Sequence, residues 1–190
     1  MTEEINPQAG ILKSMIMNHI AGRNAGDHWV KLYKSALAEA SKLHREAILL
    51  YENNHFERAY FLAMQSLEEL SKALMAADVY TGWLDEEDYY KMQNDHKSKI
   101  KRVKWVQYEG QKFPIVTSKG KITKDFVFRK KLRSTYVELE RNSKQVLTPT
   151  DGVNKEDAAN LINAVMAGLT AVVETTMVRG EQIGTKGFMK

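Results

Sequence analysis

The sequence predicts an all-α protein, an antiparallel helical bundle of four to five main helices. Three observations carry this: long stretches with apolar residues at i, i+3 and i+4, only three prolines and 11 glycines in 190 residues, and short polar breaks between the periodic stretches. A composition of 43% hydrophobic and 27% charged residues is ordinary for a globular chain of one domain.

The elements follow in order. A first helix is expected from near Pro7, presenting Ile11, Leu12, Met15, Ile16 and Ile20 before Gly22. Residues 1–26 thus read as an N-terminal helix or arm, 27–180 as the helical domain and 181–190 as a loose tail. Asp27 is placed to cap a long helix to about Tyr51, with Leu32, Ala36, Leu43, Ala47 and Leu50 near one stripe. Glu52-Asn53-Asn54 is the expected turn. The next helix spans about Phe56 to Tyr80, with Gly82 placed to end it. The acids Asp85 to Asp88 suit a first turn, and a continuous helix is expected from there to about Val106.

Between about 107 and 125 the pattern changes, and β-branched residues either side of Lys119-Gly120 suggest a small hairpin or ordered excursion. A helix from about Phe126 to Val146 is expected next, with Leu132, Tyr136 and Leu139 on its apolar stripe. After Thr148-Pro149-Thr150-Asp151-Gly152, Asn154 and Asp157 are spaced as a capping box for a last helix, Ala158 to about Val178, closed by Gly180.

Charge is unevenly spread. From Lys97 to Arg133, thirteen Lys and Arg face two acids, a balance of +11, so the remainder of a chain of net charge +4 carries −7. A basic block beside an acidic remainder points to a polyanionic partner, and Lys97, Lys99, Lys101, Arg102, Lys104, Arg129 and Lys130 are its candidate nucleic-acid contacts. A merely solvated basic surface is the plainer alternative. The chain has no cysteine, which removes disulfides, thiol catalysis and thiolate metal sites. No apolar run reaches the roughly 18 residues of a membrane span, and the N-terminus is acidic, so a cytoplasmic protein without membrane association is expected.

The segment SLEELSKAL, residues 66–74, sets two glutamates and a lysine inside an otherwise apolar helix. At 100° per residue, Ala63, Leu67, Leu70 and Leu74 form one stripe, and Gln65, Glu68, Glu69 and Lys72 lie opposite, mixed with Phe61, Met75 and Ala76. Lys72 can reach either carboxylate. Exposed salt bridges worth a few tenths of a kcal/mol are the ordinary reading. A partly buried acid/base cluster is the functional one. His96 favours the second, because it shares a stripe with Tyr89, Met92, Ile100 and Val103 and needs hydrogen-bond partners that Glu68 or Glu69 can supply. Arg129 and Arg133 flank Tyr136, a pairing suited to a phosphate or a stacked base, or to a packed salt bridge. Glu68, Glu69, Lys72, His96, Arg133 and Tyr136 are therefore the candidate site, for binding or catalysis.

Other motifs fail. Glu52-Asn53-Asn54-His55 matches Glu-x-x-His but falls on a turn and has no second copy, so neither metal nor other cofactor is expected. Gly180 to Lys186 has the wrong order for a phosphate loop, and no nucleophilic triad is apparent.

Taken in order, ALAEASKLHREAILLYENNHFERAYFLAMQSLEELSKAL, NDHKSKIKRV and KLRSTYVELERNSKQVLTPTDGVNKEDAANLI resemble the AbiV family of abortive-infection proteins, in the HEPN superfamily. The resemblance spans roughly residues 32–173, and its sharpest elements are Glu68-Glu69-x-x-Lys72, His96-Lys97-x-Lys99 and Arg133 to Val137. It implies a helical bundle, frequent dimerisation and a role in defence against phage, to which the basic block adds the expectation of an RNA or protein partner. Many HEPN proteins are metal-independent ribonucleases with an Arg-x(4 to 6)-His motif. The one such spacing here, Arg23 to His28, lies before the first bundle helix and contains a glycine. Ribonuclease activity, or a purely structural bundle, are the alternatives to a binding module.

Overall fold

The structure, a computed structural model, describes residues 27–80, 84–96, 98–99, 107–108, 111–112, 116–117, 120–121 and 124–173. Its elements are α1 (Asp27–Glu52), α2 (Phe56–Tyr80), α3 (Glu86–Gln93), β1 (Gln107–Tyr108), β2 (Gln111–Lys112), β3 (Val116–Thr117), β4 (Gly120–Lys121), α4 (Lys124–Arg133), β5 (Glu138–Leu139), β6 (Val146–Leu147), α5 (Pro149–Gly152) and α6 (Lys155–Val173). It is an all-α bundle carrying three small antiparallel hairpins, β1–β2, β3–β4 and β5–β6. Among the described residues, no helix is long and apolar enough to cross a membrane.

Helices α1 and α2 form the principal hairpin, joined by Asn53-Asn54-His55. Asn54 takes φ 63°, a conformation its short polar side chain tolerates, and Asn53 donates its side-chain amide to the Leu49 carbonyl at 2.8 Å. The seam of α1 is Trp29, Tyr33, Ala36, Leu37, Ala40, His44 and Ala47, an i, i+4, i+3 progression of buried residues. This stripe shares Ala36 and Ala47 with the expected one, while Leu32, Leu43 and Leu50 lie at its half-buried margin. Small residues on both sides let the backbones approach, and Ser66 Oγ donates to the Ala40 carbonyl at 2.6 Å.

Helix α2 is buried nearly all round because α1, α6, α3 and α4 each cover part of it. Helix α6 crosses it closely at Gly168, where a Cβ would meet Leu70 Cδ2 at 2.8 Å. The start of α6 is fixed by a reciprocal capping box: the Asp157 amide donates to Asn154 Oδ1 at 2.9 Å and the Asn154 amide to Asp157 Oδ2 at 3.1 Å. Helix α3 docks through Tyr89, whose ring meets Trp29 edge-on with centroids 4.7 Å apart.

Two helices are shorter than expected. The one expected to run from Asp85 to Val106 stops at Gln93, with Asn94 as C-cap. Asp95 then restarts helix at His96: its carboxylate accepts from the Ser98 amide at 3.2 Å and its carbonyl from the Lys99 amide at 3.1 Å. Asn and Asp compete for backbone hydrogen bonds and favour caps over helix interiors. The helix expected from Phe126 to Val146 likewise ends at Arg133. Ser134 Oγ and Thr135 Oγ1 both donate to the Lys131 carbonyl, at 2.6 and 3.2 Å, and Thr135, Tyr136 and Val137 lead into β5. Glu138 pairs with Leu147 and Leu139 with Val146, so the expected stripe of Leu132, Tyr136 and Leu139 is not a core face, and all three side chains are exposed.

The hairpin expected around Lys119-Gly120 corresponds to β3–β4, with Val116 opposite Lys121 and Thr117 opposite Gly120. The expected helix from Pro7, the Gly82 and Gly180 helix stops and the 181–190 tail lie outside the described residues.

Candidate functional site

The middle of α2 answers the question its sequence raises. Covered on most sides, the helix buries Ser66, Leu67, Glu68, Leu70 and Ser71, while Glu69 between them stays partly exposed. Glu68 is 2% exposed, a carboxylate with almost no access to water. Such a group persists only when other charges and donors replace its hydration.

Three residues do so. Lys131 Nζ, from α4, donates to Glu68 Oε1 at 2.6 Å. His96 Nδ1, from the turn of helix after α3, meets Oε2 at 2.6 Å, and Lys99 Nζ lies 3.2 Å from the same oxygen. Burial pushes the Glu68 carboxyl up. The Lys131 hydrogen bond and charge, then His96 and Lys99, outweigh that and hold it below the ordinary carboxylate value of 4.5. An ionised carboxylate only accepts, so the proton between Glu68 and His96 sits on Nδ1, which leaves Nε2 as the ring's other nitrogen. The His96 side chain is 44% exposed, its ring stacked on Phe128 with centroids 5.8 Å apart and planes at 26°. Lys131 also lies over the Phe61 ring, 5.9 Å from its centroid.

The six candidate residues divide into three neighbourhoods. Glu68 and His96 meet in the buried cluster. Glu69 and Lys72 pair with each other at 2.6 Å, partly exposed. Being 100° round the helix from Glu68, Glu69 faces Tyr89, whose hydroxyl is pushed up to about 12 by burial and then by the Glu69 charge. Arg133, the last residue of α4, and Tyr136 just beyond it stand at the surface, Arg133 Nε being 3.8 Å from Glu138 Oε2 and Tyr136 exposed.

The basic candidates divide as well. Lys99 is buried on Glu68, and Lys130 is paired with Asp157 at the start of α6, so neither ammonium is presented to solvent as a surface cation. Arg129 is exposed. Lys97, Lys101, Arg102 and Lys104 lie outside the residues whose side chains are described, as does Arg23; His28 is exposed at the start of α1, beside the Trp29 ring. No group of three or more His, Cys, Asp and Glu that could hold a metal ion occurs among the described residues.

Lys131 and Phe128 complete the cluster although the sequence does not single them out, and Phe61, expected on the same side of α2 as Glu68, lies under Lys131. Phe128 and Lys131 are three apart on one face of α4, a signal that the surrounding run Arg129-Lys130-Lys131 conceals. His44 was also passed over. It is buried on α1, its Nε2 3.1 Å from the Ile162 carbonyl, and burial lowers it from the ordinary histidine value despite that bond.

The comparisons with known proteins accord with this architecture. No curated protein and no solved structure matches the chain. Residues 28–170, from the start of α1 almost to the end of α6, match the AbiV family model of the HEPN group. The chain belongs to the AbiV family, within the HEPN superfamily.

Proposed function

We propose that the chain is an abortive-infection module, a homodimer in action, that engages RNA through its basic segment. Its family is one of phage-defence proteins, and abortive infection is the role that membership suggests. The observation that supports the RNA reading is the convergence of Lys99 and Lys131 on Glu68. These two residues lie near the ends of the basic block, so one buried carboxylate fastens both ends of that block to the bundle. Between them in the chain, β1 and β3 pack against α6. Two points near the ends of a run of like charge are thereby anchored to the bundle, an arrangement that suits a polyanion-binding surface. The exposed apolar residues Tyr136, Val137, Leu139 and Val146 support an assembled form.

Binding of a fluorescent single-stranded RNA at rising salt tests this. Affinity is expected to fall linearly in log–log form, with a slope of about −0.7 per phosphate neutralised. Absence of binding at low salt excludes RNA and leaves a protein partner.

A second reading, metal-independent RNA cleavage, draws on the Glu68–His96 contact. A carboxylate holding Nδ1–H orients the imidazole so that Nε2 can accept a proton from a nucleophile, and Lys131 supplies nearby positive charge. Arg133 and Tyr136, being separate from this cluster, have no part in that scheme. Incubating a mixed RNA pool with the protein in EDTA tests it: intact RNA, or equal cleavage by His96→Ala, removes the reading.

A further inference from the structure

Among the described residues, charge in the Glu68 cluster does not balance. One carboxylate faces two ammonium groups, leaving +1 with His96 neutral and +2 with it protonated. Lys99 and Lys131 are each only 6% exposed, and among the described residues Glu68 is the carboxylate that either one reaches. Each ammonium has three donors. Lys131 directs one to Glu68 Oε1, Lys99 one to Oε2, and the Phe61 face meets Lys131 without neutralising it. A buried cationic surplus of this kind is stabilised by an anion that brings its own acceptors.

The open side of the cluster is His96. Its side chain is 44% exposed, Lys131 Nζ lies 3.5 Å from its Nδ1, and the Phe128 ring walls its other face. We infer that the cluster is a binding site for a phosphate group, held beside His96 by the donors that Lys131 and Lys99 do not spend on Glu68. A phosphate matches in two ways: its charge of −1 to −2 offsets the surplus, and its several oxygens accept from two lysines at once. The group is either free phosphate or one phosphate of a polynucleotide. In the second form the inference rests on the RNA reading above; in the first it does not.

The test is titration of the full chain with sodium phosphate at constant ionic strength, read by melting temperature and by the His96 ring resonances. A saturable rise in Tm and a saturable shift at His96 are expected. Lys131→Met leaves Glu68 one ammonium, removes the surplus and is expected to weaken phosphate binding about tenfold or more. Lys42→Gln, an exposed lysine on α1, is expected to change nothing. Equal phosphate effects in the parent and Lys131→Met overturn the inference. Should Lys131→Met fail to fold, the parent decides alone, because an unmoved His96 resonance at saturating phosphate also overturns it. A short oligoribonucleotide then separates the sources. Displacement of phosphate at His96 supports both readings, whereas a phosphate effect that RNA leaves untouched supports the site and contradicts the RNA reading. RNA binding without any Lys131-dependent phosphate effect does the reverse.

Discussion

Lys131 Nζ donates to Glu68 Oε1 at 2.6 Å across 63 residues of chain, and both side chains are almost wholly buried. This contact ties the short helix α4 to the central helix α2. It also explains why a single glutamate is tolerated in the apolar middle of α2: it is the acceptor for cations arriving from two other parts of the chain.

Removal of the acceptor is therefore more damaging than removal of one donor. Glu68→Ala leaves two buried ammonium groups without a carboxylate and is expected to cost about 3–5 kcal/mol. Lys131→Met leaves Glu68 paired with Lys99 and His96 and is expected to cost clearly less. Urea unfolding of the two variants checks the order, which reverses if Lys131 rather than Glu68 is the hub.

Acid should reveal the same carboxylate. The folded-state value of Glu68 lies below the ordinary 4.5, so the unfolded chain takes up its proton first. The stability Glu68 confers is fully present above about pH 4.5 and is lost as pH falls through its lower folded value. Glu68→Gln, if folded, is expected to show a flatter acid limb in a plot of Tm against pH, and an unchanged limb would contradict the assignment.

His44 sets a second, higher window. Burial lowers its folded value below 6.5, so the unfolded state binds a proton that the native core resists. Its contribution is complete above about pH 6.5 and declines as pH falls below that. Melting between pH 7.5 and 5.5 should show the decline, and His44→Gln should flatten it.

Close packing of α6 on α2 predicts a cost for enlarging Gly168. A Cβ at 2.8 Å from Leu70 Cδ2 forces that side chain aside, so Gly168→Ala is expected to destabilise by about 1–3 kcal/mol despite the better helix propensity of alanine. Chemical denaturation of the single variant measures it, and a stabilised variant would show that Leu70 yields freely.

Elements with strong local signals were legible in the sequence. The junction of α1 and α2 follows from the Asn53-Asn54 turn and sustained helical periodicity, and the Asn154/Asp157 capping box marks the start of α6. A contact of His96 with Glu68 or Glu69 was also legible, because a histidine on an apolar stripe needs a partner and α3 is joined to α2 by a short connection; the choice of Glu68 was not. Less legible were the two helix ends, at Asn94-Asp95 and Ser134-Thr135, where side-chain caps override a periodic pattern that continues past them. Lys99 and Lys131 escaped for a different reason. Nothing local distinguishes a lysine bound for a buried carboxylate from its neighbours in a basic run; only the tertiary position of Glu68 does so.

Glu68 and Lys131 are expected to act as a coupled pair at the base of the basic segment. A double-mutant cycle of Glu68→Gln, Lys131→Met and the two combined, followed by urea unfolding, measures that coupling directly. An interaction energy of about 1–3 kcal/mol is predicted. Free energies that add to within about 0.5 kcal/mol would contradict it.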